Sequence, residues 1–274
     1  MKKIAINFCP TGMVPTKSIT EFVPISATEI IEQVHEAYDL GITIAHIHAR
    51  LENEQPTHLK SYNQVIFEGI KKHCPELIIC ASSSGRTVKS FEERSEVIEL
   101  APDMCSLTLS SLNFINQVSV NAPEMIGRLA EKMNEYGVVP ELECFDLGMI
   151  NYGKYLIEKG IISNFNYWNL IFGNIAGMQA DLSTIHTAMN AIGENNKSYI
   201  SFGGIGNQQF IANQLALLTG NGVRIGLEDN IWYNKERSKK AKNIELVRRI
   251  HDLMKLNELE LFNSNEFRQT YFSN

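Results

Sequence analysis

Short runs of apolar, often β-branched residues alternate along this chain with longer segments of mixed apolar and polar residues. The short runs have the length of strands, and the longer segments can form amphipathic helices. Eight strands are predicted, near residues 3–8, 42–48, 77–80, 104–107, 138–143, 167–172, 199–202 and 223–226. This alternation is typical of repeated βα units around a parallel sheet. It predicts one (β/α)8 TIM-barrel domain over residues 1–274, with the segment after about residue 256 packing outside the barrel.

Helix-start signals support this count of βα units. Ser26 and Asp181 each precede a predicted helix, and Pro123 lies at the start of another. Serine and aspartate oxygens cap free N–H groups at helix starts, and proline is tolerated in the first turn. The rival architecture is an open doubly wound sheet, but the glycine fingerprint for dinucleotides that is expected after its first strand is absent from the sequence.

Composition and charge narrow the class of protein. With 44% hydrophobic and 20% charged residues, the chain is expected to be globular with a large core. Its net charge of -6 argues against binding nucleic acid. No window has the apolar length of a membrane span, the apolar stretch before Pro10 is too short for a signal peptide, and the cysteines show no C-x-x-C spacing. We expect a cytoplasmic protein with reduced thiols and no membrane partner.

The most informative pair of residues is His46 and His48, at the carboxyl end of the second predicted strand. Alternate strand residues point to the same face, so both imidazoles would approach one point in space. This arrangement suits zinc, but catalytic zinc normally takes three protein ligands. The alternative interpretation is two core histidines satisfied by hydrogen bonds.

Active sites of such barrels lie at the carboxyl ends of the strands, where polar residues collect in this sequence. Glu228 follows the last strand and is the natural third metal ligand. Asp229 would then lie close to the metal, and Arg224 lies upstream on the same strand. A carboxylate and a guanidinium beside a Lewis acid suit proton abstraction. The other polar residues predicted at this rim are Ser82, Ser83, Ser84, Ser106, Thr108, Glu141 and Glu143.

Several ordered motifs resemble those of the β-keto acid cleavage enzymes, and the resemblance covers nearly the whole chain. The matching stretches are Pro10-Thr11-Gly12, His46-Ile47-His48-Ala49-Arg50, Pro102-Asp103-Met104, Ser111-Leu112-Asn113-Phe114, Pro140-Glu141-Leu142-Glu143, Phe145-Asp146 and Arg224-Ile225-Gly226-Leu227-Glu228-Asp229-Asn230. Several motifs in the right order are far more specific than any one of them.

The resemblance implies a zinc-dependent (β/α)8 enzyme that condenses a β-keto acid with acetyl-CoA and splits the adduct into acetoacetate and a new acyl-CoA. It further implies a homo-oligomer, with a tetramer favoured. By the same resemblance, Asp229, oriented by Arg224, would take a proton from the substrate, and Glu143 is a further polar member of the active face. The implied zinc ligands are His46, His48 and Glu228, and the implied substrate-binding residues are Ser82, Ser83 and Ser106, with Thr108 beside them on the same rim.

Some positions depart from the family pattern. Val14 lies where a member with an amine-bearing substrate carries a glutamate. The loop at Asn174-Ile175 and the position of Asn207, where an arginine is common, also differ, so binding of coenzyme A is expected to be altered if these loops serve it.

Two other functions stay open at this point. A metal-dependent barrel hydrolase would need further histidines or a lysine, whereas strands five and six end in Glu143 and Phe172. A barrel that only binds a keto acid or an acyl-CoA would not need Asp229 as a base.

Two remaining expectations concern a cysteine and the other histidines. Cys144 and Glu143 are adjacent on a strand and face opposite ways, so one of the two is expected to point outward into the helical layer, and Cys144 is not expected to be catalytic because no histidine is predicted near it. The other five histidines are expected at the surface: His35, His58, His73, His186 and His251.

Overall fold

The computed structural model describes residues 2–162, 165–193 and 198–272. Within these residues, eight parallel strands pair in sequence order and close into a barrel, so the predicted (β/α)8 fold is confirmed. The strands are β1 (Ile6–Phe8), β2 (Ile44–Ile47), β3 (Ile78–Ala81), β4 (Met104–Thr108), β5 (Val139–Cys144), β6 (Asn166–Phe172), β7 (Ser198–Gly204) and β8 (Gly222–Ile225). Met1 and residues 273–274, the ends of the predicted domain, lie outside the described residues.

Helices surround the ring of strands, and each predicted helix start is confirmed. Ser26 and Glu29 form a capping box at the first helix, Pro123 opens the fourth, and Asp181 accepts a hydrogen bond from the Thr184 N–H at the sixth. The helices are α1 (Ala27–Leu40), α2 (Lys60–His73), α3 (Phe91–Ser95), α4 (Pro123–Glu135), α5 (Leu147–Glu158), α6 (Leu182–Ile192), α7 (Gln208–Thr219), α8 (Asn243–Leu256) and α9 (Ser264–Tyr271), with a 3-10 turn at Glu96–Leu100.

Apolar side chains pack in two separate regions. The larger region lies between the strands and the helices and contains Cys144, as expected from its alternation with Glu143. The smaller region fills the amino-terminal end of the barrel, where Ile44, Tyr167 and Tyr199 pack together. Toward the carboxyl ends the inward-facing side chains are mostly polar: Ile44 is followed by His46 on β2, and Met104 by Ser106 and Thr108 on β4.

The two ends of the chain meet at the bottom of the barrel. The predicted first strand divides at Ala5: Lys3–Ile4 pairs with Glu260–Leu261, and only Ile6–Phe8 joins the barrel. Beyond α8, helix α9 lies outside the ring of strands and places the fully buried Phe267 against Tyr199, with ring centroids 5.0 Å apart. The C-terminal segment therefore closes the amino-terminal end and leaves the carboxyl end open.

Two small antiparallel hairpins follow β2 and β4 and lie at the carboxyl end of the barrel. One pairs Ala49–Arg50 with Pro56–Thr57, and the other pairs Leu112–Asn113 with Val118–Ser119. No helix in the described ranges is long and apolar enough to cross a membrane.

Candidate active site

The two histidines of β2 and the carboxylate after β8 meet at the open end of the barrel. The Nε2 atoms of His46 and His48 are 3.2 Å apart, and the Nε2 of His48 is 3.1 Å from Oε1 of Glu228. Both imidazoles are buried. The alternation of strand residues brings the histidines together, and closure of the barrel pairs β8 with β1, which in turn pairs with β2.

The three side chains fit a zinc ion. Ligand atoms of a tetrahedral zinc with bonds of about 2.1 Å lie roughly 3.4 Å from one another, close to the separations found here. The second carboxylate oxygen of Glu228, Oε2, is buried and has no hydrogen-bond partner among the described residues. Burial opposes ionisation of Glu228, but His48 and Arg224 outweigh it and hold its pKa well below the usual value. An ionised carboxylate and two imidazoles are a suitable donor set.

Glu141, on the inner face of β5, fixes the orientation of His46. Its Oε2 accepts a hydrogen bond from Nδ1 of His46 at 2.7 Å, which leaves the Nε2 lone pair of a neutral imidazole free for a metal. Oε1 accepts hydrogen bonds from the side-chain amides of Asn7 and Asn169. Burial lowers the pKa of His46, but the charges of Glu141 and Glu228 outweigh it and raise that pKa to about 9, so a metal that binds Nε2 would displace the proton that this nitrogen otherwise carries near pH 7.

Glu141 is predicted from the sequence to lie at the rim, but this contact with His46 is not. The signal that could have identified it is its spacing of two from Glu143, which places both carboxylates on the inner face of β5. This spacing does not predict the contact with His46, because that contact crosses the barrel.

A second set of donors, formed by His46, Cys80 and Glu141, also lies close together. We favour the first set for a metal, for two reasons. Burial raises the pKa of the Cys80 thiol well above its usual value, so the thiolate is disfavoured. In addition, Nδ1 of His46 is already bonded to Glu141, whereas His48 and Glu228 line the cavity.

Arg224, on the inner face of β8, holds three carboxylates. Its Nε is 2.8 Å from Oδ2 of Asp229, its Nη2 is 2.7 Å from Oε1 of Glu228, and its Nη1 is 3.5 Å from Oε1 of Glu143. Burial raises the pKa of Asp229 and outweighs the opposing effect of Arg224. Burial also raises the pKa of Glu143, which accepts a hydrogen bond from Thr108 at 2.7 Å. Asp229 therefore has a fixed orientation beside the candidate metal ligands.

The residues predicted to bind substrate divide into two pairs. Ser82 and Thr108 line the cavity above the histidines. Ser83 and Ser106 instead bond to each other: Oγ of Ser83 donates to the Ser106 carbonyl at 2.6 Å, and the Ser83 N–H donates to Oγ of Ser106 at 3.1 Å. Both are buried and are absent from the cavity wall. In this structure they connect β3 to β4 beneath the site.

One expectation about the histidines was wrong. His58 is buried, and its Nε2 donates a hydrogen bond to the Ser84 carbonyl at 3.0 Å. Burial lowers its pKa to about 4, so this histidine is neutral at physiological pH. The hairpin after β2 folds His58 inward beneath the loop after β3. His35, His73, His186 and His251 keep partial or full exposure to solvent, as expected.

The site opens into a cavity of about 640 Å³ at the carboxyl end of the barrel. Val14 and the loop residues Asn174 and Ile175 line it. Asn207 accepts a hydrogen bond from Nε of Arg237 at 3.4 Å, so an arginine from the loop after β8 lies beside the position where the family commonly has one. The departures from the family pattern thus collect at the cavity and its mouth.

A barrel whose candidate acid–base and metal-binding residues meet at the carboxyl ends of its strands belongs to the class of TIM-barrel enzymes. A model of the β-keto acid cleavage enzyme family matches residues 3–272. The chain therefore belongs to the β-keto acid cleavage enzyme family.

Two curated relatives agree with this assignment, and a solved structure shares the fold. The 3-keto-5-aminohexanoate cleavage enzyme of Acetoanaerobium sticklandii is 32% identical over 256 residues, which is 93% of each chain. The 3-oxoadipate:acetyl-CoA acetyltransferase of Cupriavidus necator is 32% identical over 84% of this chain and 81% of that protein. The structure of ObcA without ligand superimposes with a TM-score of 0.76 at 17% identity, over 92% of this chain and 65% of ObcA. That likeness supports the fold, and the chain spans about two thirds of the length of ObcA.

Proposed function

We propose that this enzyme is a zinc-dependent β-keto acid cleavage enzyme that uses acetyl-CoA. It would condense the acid with the acetyl group and cleave the adduct to acetoacetate and a new acyl-CoA. The observation that carries the proposal is the convergence of His46, His48 and Glu228 beside Asp229 in a chain of this family. The names of two relatives support the choice of a β-keto acid and acetyl-CoA as substrates: one is a 3-oxoadipate:acetyl-CoA acetyltransferase and the other is a 3,5-dioxohexanoate:acetyl-CoA acetone transferase.

The base in this proposal is Asp229. When bound by His46, His48 and Glu228, zinc would act as a Lewis acid that polarises the keto and carboxylate oxygens of the acid. Asp229 would remove a proton from the carbon between those two groups. The hydrogen bond from Nε of Arg224 holds its Oδ2 in place, so the carboxylate needs little reorganisation when the proton moves.

In the remaining steps, one carbon–carbon bond forms and another breaks. The carbanion attacks the acetyl carbonyl, and the thiolate of coenzyme A leaves. The same thiolate then attacks the original keto carbonyl, and the bond between that carbon and the carbon that attacked the acetyl group breaks, which gives the new acyl-CoA. Protonated Asp229 returns its proton to the released carbanion to give acetoacetate. Ser82 and Thr108 would position the carboxylate from the cavity wall, while Ser83 and Ser106 would hold that wall in place.

Water exclusion supports the same assignment. Asp229, Arg224 and both histidines are largely buried, so their charges act in a region of low dielectric. We also propose that the protein is a homo-oligomer, with a tetramer favoured, and that it is located in the cytoplasm.

The test measures bound zinc and acetoacetate formation in the same preparations. Wild-type protein should contain one zinc per chain and form acetoacetate from acetyl-CoA and a β-keto acid. Asp229→Asn should keep its zinc but lose activity by on the order of 10³-fold or more, since the base is gone. Asp39→Asn, a change of the same kind at an exposed helix position, should match wild type.

Two outcomes would contradict the proposal. Full activity in Asp229→Asn would remove this residue from the reaction. Zinc binding without conversion of any β-keto acid would instead favour a barrel that binds its ligand without turning it over.

A further inference from the structure

Arg86 lines the cavity at the open end of the barrel. It lies in the loop after β3, with its guanidinium carbon 3.6 Å from the centre of the Phe114 ring. No hydrogen bond or ion pair joins its guanidinium to any residue that the structure describes, and its Nε is buried without a partner. A buried donor of this kind is costly unless a ligand satisfies it.

The loop that carries Arg86 is held on several sides. Nε of Arg94, itself buried, donates to the Ser83 carbonyl at 2.8 Å, and His58 donates to the Ser84 carbonyl at 3.0 Å. The Arg86 N–H bonds to Oγ of Ser84 at 3.4 Å. Stacking on Phe114 restrains the side chain as well. The guanidinium is therefore presented in one place, as a preorganised binding group would be.

The acidic residues of the cavity wall all contact the same guanidinium, that of Arg224. Of the lining residues that the structure describes, the carboxylates are Glu143, Glu228 and Asp229, and all three lie within 3.5 Å of Arg224. Val14 adds an exposed apolar side chain to the cavity lining. Away from the strand ends, the cavity thus offers a positive charge and apolar surface, which favours an anionic group and disfavours an ammonium group.

We propose that Arg86 determines substrate specificity by binding a second, distal carboxylate of the β-keto acid, so that the preferred substrates are β-keto dicarboxylates. A carboxylate can accept two parallel N–H bonds from a guanidinium, which is the strongest way to satisfy this side chain. The inference rests on the proposed function, because it assumes that the reacting carboxylate and keto group lie at the zinc ligands.

The test uses three β-keto acids with the same six-carbon chain. 3-Oxoadipate ends in a carboxylate, 3-oxohexanoate in a methyl group, and 3-keto-5-aminohexanoate carries an ammonium group. Their binding to zinc-loaded wild type, Arg86→Gln and Arg86→Lys is measured by calorimetry without acetyl-CoA, and their kcat/KM is measured with it. Arg128→Gln is the matched control, because Arg128 also stacks on a phenylalanine, Phe91, but lies outside the cavity.

Wild type should prefer 3-oxoadipate over 3-oxohexanoate by about 10- to 100-fold, the range expected for a charge-assisted hydrogen bond. Arg86→Gln should abolish this preference and change binding of 3-oxohexanoate by less than about threefold, and Arg86→Lys should restore part of it. Arg128→Gln should behave as wild type.

The other outcomes overturn the inference in distinguishable ways. Equal weakening of all three acids would place Arg86 at the reacting carboxylate. A raised KM for acetyl-CoA that disappears with the dephospho-CoA thioester would assign it to a phosphate of coenzyme A. Equal binding of 3-oxoadipate and 3-oxohexanoate by wild type would refute the inference even if the variants fail to fold. Absence of turnover with every acid would reject the proposed function, and the calorimetry would still decide the role of Arg86.

Discussion

Replacing Glu141 with glutamine should weaken zinc binding although Glu141 is not in the proposed ligand set. Both of its oxygens are committed. Oε1 accepts hydrogen bonds from the amides of Asn7 at 2.6 Å and Asn169 at 2.9 Å, and Oε2 accepts one from Nδ1 of His46 at 2.7 Å. Cys80 completes the surroundings, with its sulfur 3.3 Å from Oε2. A glutamine has the same shape but only one oxygen for these donors.

In Glu141→Gln, the side-chain amide can keep the hydrogen bonds from Asn7 and Asn169 only if its oxygen lies where Oε1 now lies. Its NH2 group then faces Nδ1 of His46, which must become an acceptor. The imidazole proton moves to Nε2, the atom that faces His48 and would bind the metal. The opposite orientation of the amide leaves its NH2 facing two donors. Either arrangement opposes metal binding.

The expected magnitude follows from measured effects of such supporting groups, which are about 10- to 100-fold in metal affinity. This corresponds to roughly 1.4–2.7 kcal/mol. The fold should survive, because Arg224, 3.9 Å from Glu141, keeps its closer partners Asp229 and Glu228.

Competition for zinc between the metal-free protein and a chromophoric chelator measures the effect. Glu143→Gln is the control: it makes the same change two residues along β5, where the contacts are Thr108 and Arg224 rather than a histidine. Zinc binding in this control should stay within about threefold of wild type, given how strongly such effects depend on a ligand contact. Wild-type affinity in Glu141→Gln would refute the tautomer argument. Equal loss in both variants would assign the effect to the net charge of the site.

Three further predictions concern stability and are checked by urea unfolding. Burial raises the pKa of Asp103, but the Ile79 N–H, Lys71 and Arg268 outweigh it and hold that pKa below its usual 3.8. Asp103→Asn should therefore cost about 1–3 kcal/mol near pH 7, and the difference from wild type should shrink as the pH falls below 3.8 and through the folded-state pKa. Phe267→Ala should cost about 3–5 kcal/mol and leave zinc affinity unchanged, because this ring lies at the opposite end of the barrel. Gly226→Ala should cost on the order of 2 kcal/mol or more, since Gly226 has φ +152° and the Cys9 carbonyl occupies the space of a Cβ.

The positions of the strands could be predicted from the sequence because they depend on local patterns. Each barrel strand is a short apolar run between polar segments, and all eight lie close to where the sequence placed them. The departure at Ala5 has a non-local cause: Lys3–Ile4 pairs with Glu260–Leu261, more than 250 residues away in the chain. A local pattern cannot show which partner a strand edge will find.

The same division applies to the candidate site. The spacing of His46 and His48, and the placement of Glu228, Asp229 and Arg224 around the last strand, are features of the sequence, and the predicted grouping of these residues agrees with the geometry. Their roles stay predictions until they are tested.

What only the tertiary structure decided is which polar groups find partners. Glu141 bonds to His46 across the barrel, Ser83 and Ser106 satisfy each other, and His58 is folded inward under a loop. The Nε of Arg86 is buried with no hydrogen-bond partner among the residues that the structure describes. Hydrogen bonds and ion pairs depend on separations of a few ångströms between residues that are far apart in the chain, so a sequence can propose the groups, but only closure of the barrel determines which of them meet.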